Sequence, residues 1–205
     1  MDTPHHDDAQ TLLDELILPF YSVNRDMLVP TKNFTEENDA EHSWSLAILA
    51  CALAEHIDEN LDIGLIGQFS IVHDLVEVFA GDTSVWADEY DLTSKESREA
   101  ASLELIKSKF HSFKWLVEII EAYELQESDE AKYVKAMDKY IALCIRFRDQ
   151  GLFYKKMKIT KKRFIEQLAH NRIKAHSHPG VARYYERIRS EYDVHPEHFY
   201  VSKQA

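Results

Sequence analysis

Glycine and proline are scarce, with five of each in 205 residues. That leaves the chain little of the turn chemistry that a sheet-rich or linker-rich protein needs. Leu, Ala, Glu and Lys recur at helical spacing instead, and they predict an all-α fold. Cysteine is rarer still. Cys51 and Cys144 share no metal-type or redox-type spacing, and each lies within an apolar helical pattern, as buried small hydrophobes in a reducing compartment do. Positive charge is in deficit, 24 Lys and Arg against 36 Asp and Glu, for a formal net charge of -12. Such a surface repels polyanions. Its one basic stretch, "YKKMKITKKRF" from Tyr154, reads as the solvated flank of a helix, so no nucleic-acid polymer is expected as a partner. Long apolar runs are also missing. "LAILACALA", from Leu46, falls well short of the ~20 residues of a membrane span, and the acidic start "MDTPHHDDAQ" has no apolar signal core. The expectation is a soluble, cytoplasmic protein with no membrane partner.

What is present is a 45% hydrophobic composition, enough for one sizeable core. No internal repeat, low-complexity tract or linker interrupts the chain. Helical patterns run over residues 10–20, 39–57, 62–80, 94–109, 113–126, 129–149, 160–172 and 179–192. The second is apolar on two sides, with Leu46, Leu49 and Leu53 on one and Trp44, Ile48 and Cys51 on another, which predicts a central helix.

Against this background "HDLVEVFAGDT", beginning at His73, carries an unusual load of ionisable groups. Unpaired burial of each costs several kcal/mol, on the order of the range for polar and charged burial, so they need partners, a metal or a task. His73 and Glu77 are four apart and share a face of a predicted helix, while Asp74 lies about 100° round from His73. His42 sits one turn before Leu46 and points inward. Asp138 falls at the edge of the stripe formed by Val134, Met137, Ile141, Cys144 and Ile145. Imidazole plus carboxylate suits a divalent ion such as Mn, Co, Fe, Ni or Zn, or Mg if water completes the shell. His42, His73, Asp74 and Asp138 together leave coordination positions open for water and substrate.

"AEHSW", then "HDLVEVFAGDT" with its histidine 31 residues after His42, then "EAKYVKAMDKY" with its aspartate 64 residues after Asp74, resembles the HD-domain metal-dependent phosphohydrolases. The nearest likeness is to their 5'-nucleotidases acting on deoxyribonucleoside monophosphates. The resemblance covers roughly residues 12–150. It implies a compact helical bundle with extra C-terminal helices: a flexible tail over 1–11, a catalytic core over 12–150 and a helical extension over 151–205 packed on that core. It implies that His42, His73, Asp74 and Asp138 hold the metal, and that Glu77 and Asp82 handle the attacking water and the leaving group or sugar. In the relatives a basic residue upstream of the first histidine holds phosphate, a role for which Arg25 is the first candidate and Lys32 the second.

Only His111 lies between the His–Asp pair and Asp138, whereas relatives with two or three metals insert further histidines there, so one divalent ion is expected. Val78 stands where the alarmone hydrolases of this superfamily carry a second acid, which disfavours that substrate. Arg25 is followed by Asp26 where the bacterial deoxynucleotidases have a tryptophan, so only a weak preference between ribose and deoxyribose is expected. The implied activity is removal of phosphate from nucleoside 5'-monophosphates, faster than from triphosphates. The alternatives are a regulatory HD protein that binds nucleotide without turnover and a helical module in which a metal fastens three helices. Family habit implies a homodimer, with contacts supplied after residue 150. Seven histidines outside the motif spacing, His5, His6, His170, His176, His178, His195 and His198, are expected at the surface.

Overall fold

The computed structural model describes residues 6–87 and 89–202, so His5 and the first residues of the expected tail lie outside it. The chain is mostly helical. It opens with α1 (His6–Leu12), a π-helical stretch (Leu13–Ile17) and α2 (Leu18–Phe20), and thus turns helical four residues before the predicted start.

A β-hairpin that the apolar periodicity did not announce follows: β1 (Asn24–Val29) pairs antiparallel with β2 (Thr35–Asn38). Its turn places Asn33 and Phe34 at φ 55° and 59°, a left-handed pair without a glycine to mark it. The hairpin delivers the chain into α3 (Asp39–Ile57). There Asn38 Oδ1 accepts from Glu41 N–H and Glu41 returns a bond to Asn38 N–H, a reciprocal cap that fixes where the helix begins.

Next come α4 (Ile63–Val72), capped by Asp62, and α5 (Glu77–Ala80). One unbroken helix was expected over 62–80. The structure breaks it at residues 73–76, where Leu75, Glu77 and Val78 N–H each bond three residues back. The Ser102 hydroxyl holds the Val76 carbonyl in this turn. By length and composition alone Ile63–Ala80 could cross a membrane, but the turn divides it.

The chain continues with α6 (Glu89–Lys109), α7 (Lys114–Leu125), α8 (Asp129–Arg148, capped by Ser128), α9 (Leu152–Lys156), α10 (Lys161–Ala175, capped by Thr160) and α11 (Pro179–Val194). Leu46, Ile66, Phe69, Ile106, Ile120, Tyr133, Val134 and Met137 form the main core between α3, α4, α6, α7 and α8. Burying such side chains contributes about 1.5–3 kcal/mol each.

A second, aromatic core holds the C-terminal helices: Tyr154, Phe164, Tyr185, Tyr192 and Phe199 pack with Leu143 of α8 and Leu28 of β1. Tyr140 of α8 touches both cores, so this helix is the shared wall. Helix α3, expected to be apolar-packed nearly all round, is packed on one side. Trp44 and Ile48 remain 68% and 58% exposed and form an open apolar face with Tyr21, Ile71 and Trp115.

Candidate metal centre

The hairpin, the first turn of α3, the 73–76 turn and the middle of α8 meet at one point. His42, His73 and Asp138 are all buried, and each offers a ligand atom within 4.8 Å of the others. The two imidazole rings are 5.4 Å apart. Each ring is oriented from behind. His42 Nδ1 faces Glu37 Oε2 at 3.1 Å, and His73 Nδ1 faces the Ser70 carbonyl at 2.9 Å. These partners place the proton on Nδ1 and turn both Nε2 atoms toward the cluster, the arrangement that metal-bound histidines use.

The donor set fits a divalent ion. His73 Nε2 is buried without a hydrogen bond, although Asp74 Oδ2 lies 2.8 Å away, and His42 Nε2 faces Asp138 Oδ1 at 3.1 Å. A lone pair aimed at a carboxylate oxygen needs a cation between them. Two borderline nitrogen donors with carboxylate oxygens suit Mn, Fe, Co, Ni or Zn better than a hard Mg ion.

Beside this group Asp39, Asp74 and Glu77 form a second set within 4.8 Å. Arg25, from β1, is the cation that joins them to the first. Its Nη1 donates to Asp74 Oδ2 at 2.6 Å and to Asp39 Oδ1 at 2.9 Å, with Asp138 Oδ1 and Glu37 Oε2 at 3.8 and 3.9 Å. Burial alone would raise the Asp74 carboxyl, but the neighbouring His73 imidazole and the Arg25 guanidinium hold it well below the usual carboxylate range. Burial also opposes ionisation of Asp138, and Lys139 and His42 reverse that. Asp39 goes the other way, pushed up to about 6 by burial and by Asp74 despite Arg25. Burial and Asp74 likewise push Glu77 up, opposed by Lys95, whose Nζ stands 3.0 Å from Glu77 Oε1.

A cleft of about 440 Å³ opens onto these groups, within the size range of small-molecule sites. Arg25, Asp74, Glu77 and Asp138 line it, as does Asp82. The loop that carries Asp82 follows Gly81 at φ 76° and is pinned by Arg98, which donates to the Ala80 carbonyl and to Thr83 Oγ1. Lys32 is placed elsewhere, on Glu41 at 2.6 Å, where it braces the entry to α3 and does not line the cleft.

Sequence reasoning passed over several lining residues. Lys95 comes from α6, Lys135, Lys139 and Arg146 from α8, and Gln167, His170, Asn171 and Lys174 from α10. Residues after 150 are therefore part of the cleft. The readable signal was the i, i+4, i+7 spacing of Lys135, Lys139 and Ala142 on the face of α8 that carries Asp138.

The HD domain family matches residues 21–179. Two curated proteins named 5'-deoxynucleotidase HDDC2, from Mus musculus and Homo sapiens, are each 30% identical over 105 residues. That is 50% of this chain and 51% and 50% of theirs, so the chain spans about half the length of the curated relatives it matches. The crystal structure of a predicted metal-dependent phosphohydrolase from Magnetospirillum magnetotacticum superposes with a TM-score of 0.75 over 95% of both chains at 24% identity, and so shares the fold.

Proposed function

The chain belongs to the HD-domain family, and on that premise we propose that it is a metal-dependent phosphohydrolase that removes phosphate from nucleoside 5'-monophosphates. One observation carries this reading: two buried histidines present oriented Nε2 atoms to Asp138 and Asp74, with an acid of raised pKa, Glu77, on the adjoining wall of an open cleft. A purely structural metal site has no use for the cleft or for Glu77. The names of the curated relatives support the nucleotide class.

His42, His73, Asp74 and Asp138 would hold one divalent ion, which supplies Lewis acidity and lowers the pKa of a water from about 15.7 toward about 7. Glu77 orients the attacking water and takes its proton, because its raised pKa brings a carboxylate closer to the working pH of a general base. Lys95 keeps that carboxylate in place. Asp82, on the pinned loop, lines the cleft, where it would contact the sugar or return a proton to the departing oxygen. Arg25 keeps Asp39 and Asp74 together and sets the angle of the Asp74 carboxylate.

The test is metal analysis of freshly purified protein, followed by a phosphate-release panel over nucleoside mono-, di- and triphosphates, cyclic nucleotides and DNA. Monophosphates are expected to be cleaved fastest, with little difference between ribose and deoxyribose. Faster cleavage of triphosphates or cyclic nucleotides rejects the monophosphatase reading. A bound metal and nucleotide without phosphate release, under any divalent ion, points instead to a regulatory binding protein.

A further inference from the structure

Arg25 has little left to offer a substrate. Its guanidinium donates to Asp39 and Asp74 and lies within 4 Å of Glu37 and Asp138. A phosphate entering the cleft needs other cations, and they stand on the wall made by α8 and α10. Lys135, Lys139 and Arg146 share with Asp138 the α8 face that lines the cleft, and Lys174 of α10 lines it too. Lys95 and Lys139 already have carboxylate partners in Glu77, Glu99 and Asp138. Lys135 and Lys174 do not: among the described residues neither has a carboxylate oxygen within 4.0 Å.

Three further features describe the same wall. Arg146 lies 4.4 Å over the Phe153 ring, and its Nη1 is buried without a hydrogen-bond partner. Lys174 is pushed down to about 8, by burial first and then by Lys139, Lys135 and Lys95, so the ammonium groups stand close enough to oppose one another's charge. The acids Glu96, Glu99 and Glu124 line the same cleft from α6 and α7, and Glu124 lies near enough to Lys135 to feel its charge. Like charges gathered in a partly dry cleft are unfavourable until an anion joins them. Two ammonium groups without a contact ion pair match the charge of one phosphate monoester dianion.

We propose that Lys135 of α8 and Lys174 of α10 form a phosphate-binding wall, so that these two helices, and not Arg25, supply the cationic grip on the substrate. This assignment rests on the phosphohydrolase reading above. The ligand is a phosphate dianion, either the ester group of a nucleotide or released orthophosphate. Charge-assisted hydrogen bonds from Lys135 and Lys174 would reach it beside the His–Asp centre.

The experiment uses the full-length, metal-loaded protein and isothermal titration with inorganic phosphate, a nucleoside 5'-monophosphate and the unphosphorylated nucleoside as control. Lys135→Gln and Lys174→Gln are each expected to weaken binding of phosphate and of the monophosphate on the order of tenfold, the loss of one charge-assisted hydrogen bond. Metal content and nucleoside binding should stay unchanged, and Lys174→Arg should restore most of the affinity. No phosphate binding by the wild type, or equal affinity in the wild type and both glutamine variants, overturns the wall. Phosphate binding that follows this pattern while no ester is hydrolysed keeps the wall and rejects the hydrolase reading, so the two failures are distinguishable.

Discussion

Lys95 Nζ and Glu77 Oε1 are 3.0 Å apart, an ion pair that joins α6 to the first turn of α5 at the floor of the cleft. The carboxylate is 3% exposed and its other oxygen is buried without a hydrogen-bond partner, so one edge is held and the other is left free for the proposed attacking water. Glu77→Gln is expected to retain metal and lose turnover by roughly 10² to 10⁴, the range for a positioned acid or base. Lys95→Met should also retain metal and lose roughly tenfold in kcat, because the carboxylate loses its orienting charge-assisted bond. Steady-state kinetics alongside metal analysis checks both. Metal loss in Glu77→Gln makes this residue a ligand.

His73→Ala and Asp138→Ala should each empty the centre. Either change leaves a buried set of donors with too few members to hold an ion, and thermal stability should fall along with metal content. Unchanged metal in both variants rejects the four-ligand assignment. Deleting residues 1 to 5 should alter neither metal content nor activity.

Arg25 now has a sharper expectation than a simple phosphate clamp. Its side chain is 12% exposed and faces four carboxylates, so Arg25→Ala strands buried negative charge. Breaking a buried pair from one side costs about 3–5 kcal/mol. Metal-free Arg25→Ala should therefore melt well below the metal-free wild type. Added divalent ion should recover part of that difference, since it restores positive charge among the same oxygens. Thermal melts with and without metal decide it. Equal melting of the two metal-free proteins shows that the carboxylates are neutral or solvated.

Acid stability has a marker far from the cleft. Burial opposes ionisation of Glu186, but bonds from His176, Arg172 and Arg189 hold it at about 2. The folded chain thus binds fewer protons than the unfolded chain between the ordinary value of 4.5 and about 2. This contribution is complete above pH 4.5 and is lost as pH falls toward 2. Its size is roughly 1 kcal/mol, since water screens a partly exposed network. Glu186→Gln should lower Tm at pH 7 and match the wild type near pH 2. A constant Tm difference across that range removes the network from the explanation.

Helices with strong apolar periodicity and clear caps were legible almost to the residue. The range 39–57 matches α3, because Asn38 and Glu41 mark its start, and the pattern over 129–149 matches α8 within one residue. The hairpin was not legible. Its strands are short and charged, and its left-handed turn uses Asn33 and Phe34 where a glycine would have given the signal. The break at 73–76 was hidden too, since apolar spacing runs straight through it and the Ser102 bond that braces it comes from a helix 26 residues on.

At the site, the residues that meet at the cluster were found through their spacing, but their supports were not. Glu37, which orients His42, looks in sequence like one more surface acid, and Lys32 looks as well placed as Arg25 until the hairpin turns one inward and the other onto Glu41. Lys135 and Lys174 gave no signal of their own, because a half-open cleft and a free surface give the same helical pattern.

The cleft is assembled from distant parts of the chain. Every donor of this centre, His42, His73, Asp74 and Asp138, lies at or before residue 138, whereas the cleft wall includes Gln167, Asn171 and Lys174 of α10. The proposed metal donors and part of the proposed substrate wall are thus encoded in separate stretches. Changes confined to α10 can retune which esters fit without disturbing the groups that surround the ion, and a swapped α10 becomes a handle for redesign. The same arrangement gives a chain cut after residue 150 a distinct phenotype: the donors and Lys135 remain in its sequence, but Lys174 and the rest of the α10 part of the wall are gone.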